Sequence, residues 1–244
     1  MRKILLTGSI LLLLPAVSYA QMEWLKKQVD SLKGIATQSV TTAKLSDTQI
    51  GAGLKEALKV GLENAIKSTG KTGGFFDNPA IKIMLPEKVR AIEPVLKKIG
   101  LNKQVDEFVL SMNSAAESAT PLATDVFAAA LTDMSIDDAK KILAGGNNAA
   151  TTYFMDKTKD KLIAAFQPIV RKTLDKYEIS QKYNQLTSSY KKIPFAKSLP
   201  SVDANQYVTT KTIDGLFTVL GEEEAKIRTD PAARVTSLLK KVFK

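Results

Sequence analysis

One stretch limits the folds open to this 244-residue chain: Leu101 to Met134, LNKQVDEFVLSMNSAAESATPLATDVFAAALTDM. A surface helix carries a single apolar stripe and keeps its other face polar. In the second half of this stretch, Ala115, Ala116, Ala119, Leu122, Ala123, Val126, Phe127, Ala128, Ala129, Ala130 and Leu131 leave little for water. A helix that is apolar all round belongs inside a bundle. The pattern predicts an all-α domain of about eight helices around this Ala-rich one. Pro121 lacks a backbone donor, which predicts a kink or break between Ser118 and Pro121.

The flanking segments read as the surrounding helices. Leu25, Val29, Leu32 and Ala36 recur at helical spacing over 23–40, with Trp24, the only tryptophan, at the start. Ser46-Asp47-Thr48-Gln49 is a capping box. The helix behind it carries Leu54, Leu58, Leu62 and Ile66 inward, and Gly70 is expected to end it in a left-handed turn. Gly51, Gly53 and Gly61 each cost about 1 kcal/mol against Ala, which predicts another helix close by. Val89, Ile92, Leu96 and Ile99 mark a helix from Pro86 to Gly100, bent at Pro94. Ser135-Ile136-Asp137-Asp138 opens a short helix with Ile136, Ala139, Ile142 and Leu143 inward. A long helix follows from Asn148 to about Tyr177, bent at Pro168, and a shorter one near 180–192. After a linker over 194–205, two helices separated by Asp230-Pro231 close the chain.

Residues 71–86, KTGGFFDNPAIKIMLP, are the long irregular segment. Gly73-Gly74 permits unusual backbone angles, and Ile81, Ile83 and Leu85 alternate with Lys82 and Met84, the period of an extended chain. No partner strand is in sight. Two readings stand: Phe75 and Phe76 plug the end of the bundle, or they form a lid over a pocket. Long loops are often functional.

The N-terminus reads as an export signal. Arg2 and Lys3 precede the apolar run Ile4–Leu14, and Ser18-Tyr19-Ala20 is a small-x-small cleavage pattern. The run is shorter than the roughly 20 residues that span a bilayer, so no transmembrane anchor is expected after cleavage. Removing 20 of 244 residues leaves a domain of 224, residues 21–244, expected in the periplasm. A chain of that size buries about 70% of its unfolded surface, enough for a core without disulfides. There are no cysteines to form them, nor to carry a lipid anchor.

The net charge of +10 becomes +8 when Arg2 and Lys3 leave. Lys26-Lys27, Lys97-Lys98, Lys140-Lys141, Lys191-Lys192 and Lys240-Lys241 are spread along the chain beside acids, whereas a nucleic-acid footprint is clustered. No nucleic-acid partner is expected. An apolar or anionic envelope ligand fits both the compartment and the charge.

With no His and no Cys, nitrogen- or sulfur-ligated zinc and Ser-His or Cys-His nucleophile pairs are excluded. No calcium loop is present, and neither a metal nor a cofactor is expected. Any catalysis would fall to carboxylates, Lys or Tyr. Three polar sets remain. Asn113 and Glu117 share a face of the central helix, four residues apart. A buried carboxylate needs a partner, so Glu117 either pairs with an Arg or Lys or lines a pocket. With Phe75 and Phe76, these two are the candidate binding residues. Glu222-Glu223-Glu224 with Arg228 and Arg234 reads as an ion-pair network, Glu224 to Arg228 being the favourable i, i+4 order. Gly145-Gly146-Asn147-Asn148 before a helix is a plain turn or an anion cradle.

Read together, LSDTQIGAGLKEALKVGLENAI, GFFDNPAIKIMLPEKV, MNSAAESATPLA, ILAGGNNAATTYF, FQPIV and YVTTKTIDGLFTVLGEEEAKIRTDPAARVTSLLKKVF resemble the exported bacterial family catalogued as domain of unknown function 4197. The resemblance runs from about Trp24 to the C-terminus. It implies an all-helical exported protein and brings no activity or ligand with it. Ser114 stands where an Arg is usual in that family, and Asn147-Asn148 where acids are usual.

N-terminal sequencing of the periplasmic fraction should find a mature chain beginning at Gln21. An intact Met1 form recovered in the membrane would contradict the export reading.

Overall fold

A computed structural model describes residues 46–192, 202–234 and 240. The expected helix over 23–40 and most of the C-terminal helix lie outside them. The described residues form nine α-helices and no strands: α1 Asp47–Thr69, α2 Glu87–Arg90, α3 Glu93–Lys98, α4 Asn102–Ala119, α5 Ala123–Asp133, α6 Ile136–Ala144, α7 Ala149–Lys176, α8 Ile179–Lys191 and α9 Ala204–Thr229. The architecture is the all-α bundle that the apolar spacing requires.

Among the described residues, three α-helix starts are capped by a local side chain. Ser46 Oγ accepts from Gln49 N at 3.2 Å while Gln49 Oε1 accepts from Ser46 N at 3.0 Å, so both halves of the capping box form. Ser135 and Asp138 repeat the device on α6. Asp203 Oδ1 accepts from Gln206 N at 2.9 Å and opens α9. Pro94 does not bend a helix. It occupies the first turn of α3, where its missing N–H has no partner to lose, and the chain breaks before it at Ala91-Ile92. Pro121 does interrupt the long central stretch: α4 stops at Ala119 and a 3₁₀ turn, Thr120–Leu122, leads into α5. Pro168 lies inside the continuous α7, with Pro168 and Ala164 both exposed, so water can meet the carbonyl it leaves unpaired. Beyond α9, Asp230 caps a short 3₁₀ turn, Pro231–Ala233.

The centre of the bundle is displaced from its expected place. From Ser111 to Thr120 only Ser114 and Ser118 are not buried, so α4 is wrapped on nearly every side by α7, α8, α9 and the loop before it. The alanine-rich α5 is one-sided. It buries Ala123, Phe127 and Ala130, while Ala128, Ala129 and Leu122 face outward. Alanine adds so little apolar area that its exposure costs little, and it is the best helix former, so an alanine run does not oblige burial. Ile136, expected inward, is likewise 45% exposed.

α7 and α9 pack along each other, and α4 and α1 lie against this pair. Phe127 of α5 joins them, edge-on to Phe154 of α7 at 5.7 Å and to Phe217 of α9 at 5.9 Å between ring centroids. Such pairs add to the burial of the rings themselves. Gly51 faces Ile136 and Ala139 of α6, and Gly61 faces Ile227 of α9, the helix neighbours that glycines in α1 called for. Gly70 ends α1 at φ −84°, not in a left-handed turn. Its lack of a side chain matters for space: a Cβ there would sit 2.9 Å from Ile66 O and 3.3 Å from Pro121.

Phe127 is 1% exposed. Phe127→Ala should cost about 3–5 kcal/mol in urea denaturation, the range for a buried phenylalanine. A loss below about 1 kcal/mol would mean that this ring does not join α5 to the core.

Candidate functional site

The segment 71–86 carries the two phenylalanines and meets the polar pair of α4. Gly73, at φ +77°, turns the chain at the end of α1, and Asp77 N closes back onto Gly73 O at 3.0 Å. The chain then runs extended without a strand beside it. Ile81, Ile83 and Leu85 point into the core, and Lys82 and Met84 point out. Buried backbone groups must find partners, and side chains of α4 supply them. Asn113 Oδ1 accepts from Ile83 N at 2.8 Å, and its Nδ2 donates to Ile83 O at 2.9 Å and to Val109 O at 2.8 Å. Glu117 Oε1 accepts from Phe75 N at 3.1 Å and from Phe76 N at 3.2 Å.

The structure thus brings Asn113, Glu117, Phe75 and Phe76 together, four residues singled out from two separate features of the sequence. The groups of Asn113 and Glu117 that a ligand would use are taken up by loop backbone. Glu117 is 7% exposed and is answered by two amides, with no ion pair to Arg or Lys among the described residues. Phe75 is fully buried and touches α9 where Gly215 makes room: a Cβ at Gly215 would lie 2.6 Å from the ring. Phe76 is half-buried, with Lys82 Nζ 3.6 Å above its ring centroid, a cation–π contact.

The acidic run on α9 resolves in the same manner. Glu224 is buried, and its carboxylate reaches across to the first turn of α7. There it accepts from Ala150 N at 3.0 Å, Thr151 N at 2.9 Å and Thr151 Oγ1 at 2.8 Å. Asn148, at the cap position of α7, makes no side-chain capping bond. The anion at this helix start is therefore Glu224 itself, well placed against the positive end of the helix dipole. Arg228 pairs with Glu224 at 2.9 Å and donates to Ile142 O at 2.8 Å near the end of α6. Arg234 donates to the carbonyls of Ile227 and Arg228, at 3.0 and 2.7 Å, and so closes the C-terminal end of α9 instead of joining the carboxylates.

A cavity lies elsewhere, between α4, α7, α8 and the start of α9, with a volume of about 420 Å³. Phe108, Met112, Leu174 and Ile179 supply an apolar floor, and Arg171, Asp175, Tyr183, Asn184, Asp203, Asn205 and Tyr207 a polar rim. Phe108 and Tyr183 stand 6.1 Å apart in a tilted pair. Burial pushes the Tyr183 and Tyr207 phenols above their ordinary range, against a lowering of Tyr207 by Lys211 and Arg90. A second, more open groove of about 340 Å³ runs between residues 80–84 and α9. None of these lining residues was a candidate binding residue in the sequence, although Ile81, Lys82, Ile83 and Met84 stood out as an extended segment. The available signal was a stripe on α9: Tyr207, Lys211, Gly215 and Thr218 at i, i+4, i+8 and i+11, polar and small where a core stripe would be apolar.

A family described as "Protein of unknown function (DUF4197)" matches residues 44–244. The chain belongs to this family. No curated protein and no solved structure matches the chain. Among the described residues of this family member, no helix is long and apolar enough to cross a membrane, and no group of His, Cys, Asp or Glu could hold a metal ion.

Asn113→Ala would strand the buried N–H and C=O of Ile83, at roughly 1–3 kcal/mol for each group. Phe75→Ala should cost about 3–5 kcal/mol, as a fully buried ring does, and Phe76→Ala distinctly less. Urea denaturation of the three variants checks this. A neutral Asn113→Ala would mean that the loop is not held by α4.

Proposed function

We propose that this chain is an exported, periplasmic protein that binds an apolar or amphipathic small molecule of the cell envelope in the cavity between α4, α7, α8 and α9. The observation that carries the reading is the cavity itself. At about 420 Å³ it falls within the range of small-molecule sites, which are mostly apolar with a few placed polar groups. The export part rests on Arg2-Lys3, the apolar run and Ser18-Tyr19-Ala20. The binding part moves the ligand away from Asn113 and Glu117, whose hydrogen bonds are spent on the loop.

A second reading is a structural or protein-interaction module of the envelope with no small-molecule ligand. It is favoured by the loop side of the bundle, where Phe75 fills the core and the side chains of Asn113 and Glu117 are matched by loop backbone.

Native mass spectrometry of the protein purified from its own periplasm separates the two. Binding predicts a co-purifying molecule that denaturation releases and that Ala204→Trp, a bulky side chain at the cavity rim, excludes. A clean apo mass from freshly isolated protein would favour the module without a ligand.

A further inference from the structure

The open groove beside the cavity is lined by Lys82, Arg90 and Lys211, with Asp214 as the one carboxylate. Asp214 is already engaged by Lys211 at 3.2 Å, and Arg90 has no ion-pair partner among the described residues. Three cations against one carboxylate leave the groove positive. The cavity is charged the other way, with Arg171 facing the two carboxylates Asp175 and Asp203. Tyr207 lines both spaces, and its hydroxyl donates to Met84 O at 3.0 Å, which fixes the ring as their shared wall. Lys211 and Arg90 both act on the Tyr207 phenol, so their charges lie close to this wall. The groove is also held ready. Asn113 and Glu117 pin the loop from the inner side, and the alternation of the extended chain then turns Lys82 and Met84 outward.

We propose that the ligand is a single-chain amphiphile with an anionic head, its chain in the cavity and its head beyond Tyr207 on Lys82, Arg90 and Lys211. This rests on the cavity reading above and adds the class of ligand. An apolar chain has a floor of Phe108, Met112, Leu174 and Ile179 to lie on. A phosphate or carboxylate head is repelled by Asp175 and Asp203 at the cavity rim and attracted by the positive groove, and the net charge of +8 that remains once Arg2 and Lys3 leave favours the approach of anions from solution.

Calorimetric titration of the purified protein with three probes of one chain length tests this: decyl phosphate, decyltrimethylammonium and decyl glucoside, each below its aggregation concentration. Decyl phosphate should bind at least tenfold tighter than the other two. Combining Arg90→Gln with Lys211→Gln should bring it to the level of decyl glucoside. Should that double variant not melt cooperatively, the wild-type protein still decides, because added salt must weaken decyl phosphate and leave decyl glucoside unchanged. Equal affinities, or preference for the ammonium probe, with all binding lost in Ala204→Trp, would overturn the anionic head and keep the cavity. Binding of no probe would overturn both. Inorganic phosphate binding as tightly as decyl phosphate would reduce the groove to a simple ion site and overturn the amphiphile.

Discussion

An extended chain inside a helical bundle has no neighbouring strand to complete its hydrogen bonds, and a buried N–H or C=O left unmet costs about 1–3 kcal/mol. The segment before α2 is in this position. Asn113 presents an acceptor and a donor to the two sides of Ile83, as the next strand of a sheet would, and Glu117 collects the amides of Phe75 and Phe76. With the backbone satisfied, Phe75, Ile81, Ile83 and Leu85 can all lie in the core. The position of the loop, and with it the groove against α9, depends on these two side chains of one helix.

Glu224 solves the same problem at the start of α7. The first N–H groups of a helix have no partner within it. Asn148 does not supply one, so a carboxylate from a distant helix does. Arg228 then balances the carboxylate and ties in the end of α6. Both buried glutamates thus spend their charge on backbone amides, which neutralises the penalty of burial without an extended salt-bridge network. This is why the acidic residues most conspicuous in the sequence are parts of the framework, while the groups that line open space are scattered.

Local signals carried most of the fold. The capping boxes at Ser46 and Ser135, the break at Pro121 and the alternation of Ile81, Ile83 and Leu85 were legible because each is decided by neighbours in the chain. The centre of the bundle was misplaced by half a helix, because an alanine run reports only small size, and small residues suit a crowded interior and a bare surface equally. Asn113 and Glu117 stood out as polar residues on an apolar helix, yet their partners could not be read, since a backbone amide leaves no mark in a sequence. The cavity was illegible for another reason. Its walls come from α4, α7, α8 and α9, and a void between helices is set by how they cross, which periodicity does not encode.

The pairing of α4 with the segment 71–86 also makes one element conditional on the other. Asn113 and Glu117 lie one above the other only when the residues between them are helical. Until that turn of α4 exists there is no surface for Phe75 or Ile83 to dock on, although the contacts span only 42 and 30 residues of chain. Glu224 meets Ala150 across 74 residues, a longer loop with a somewhat larger entropic cost of closure. The extended segment is therefore dependent on its helix in the way a bound peptide depends on its receptor, with the difference that both belong to one chain and arrive at a fixed local concentration.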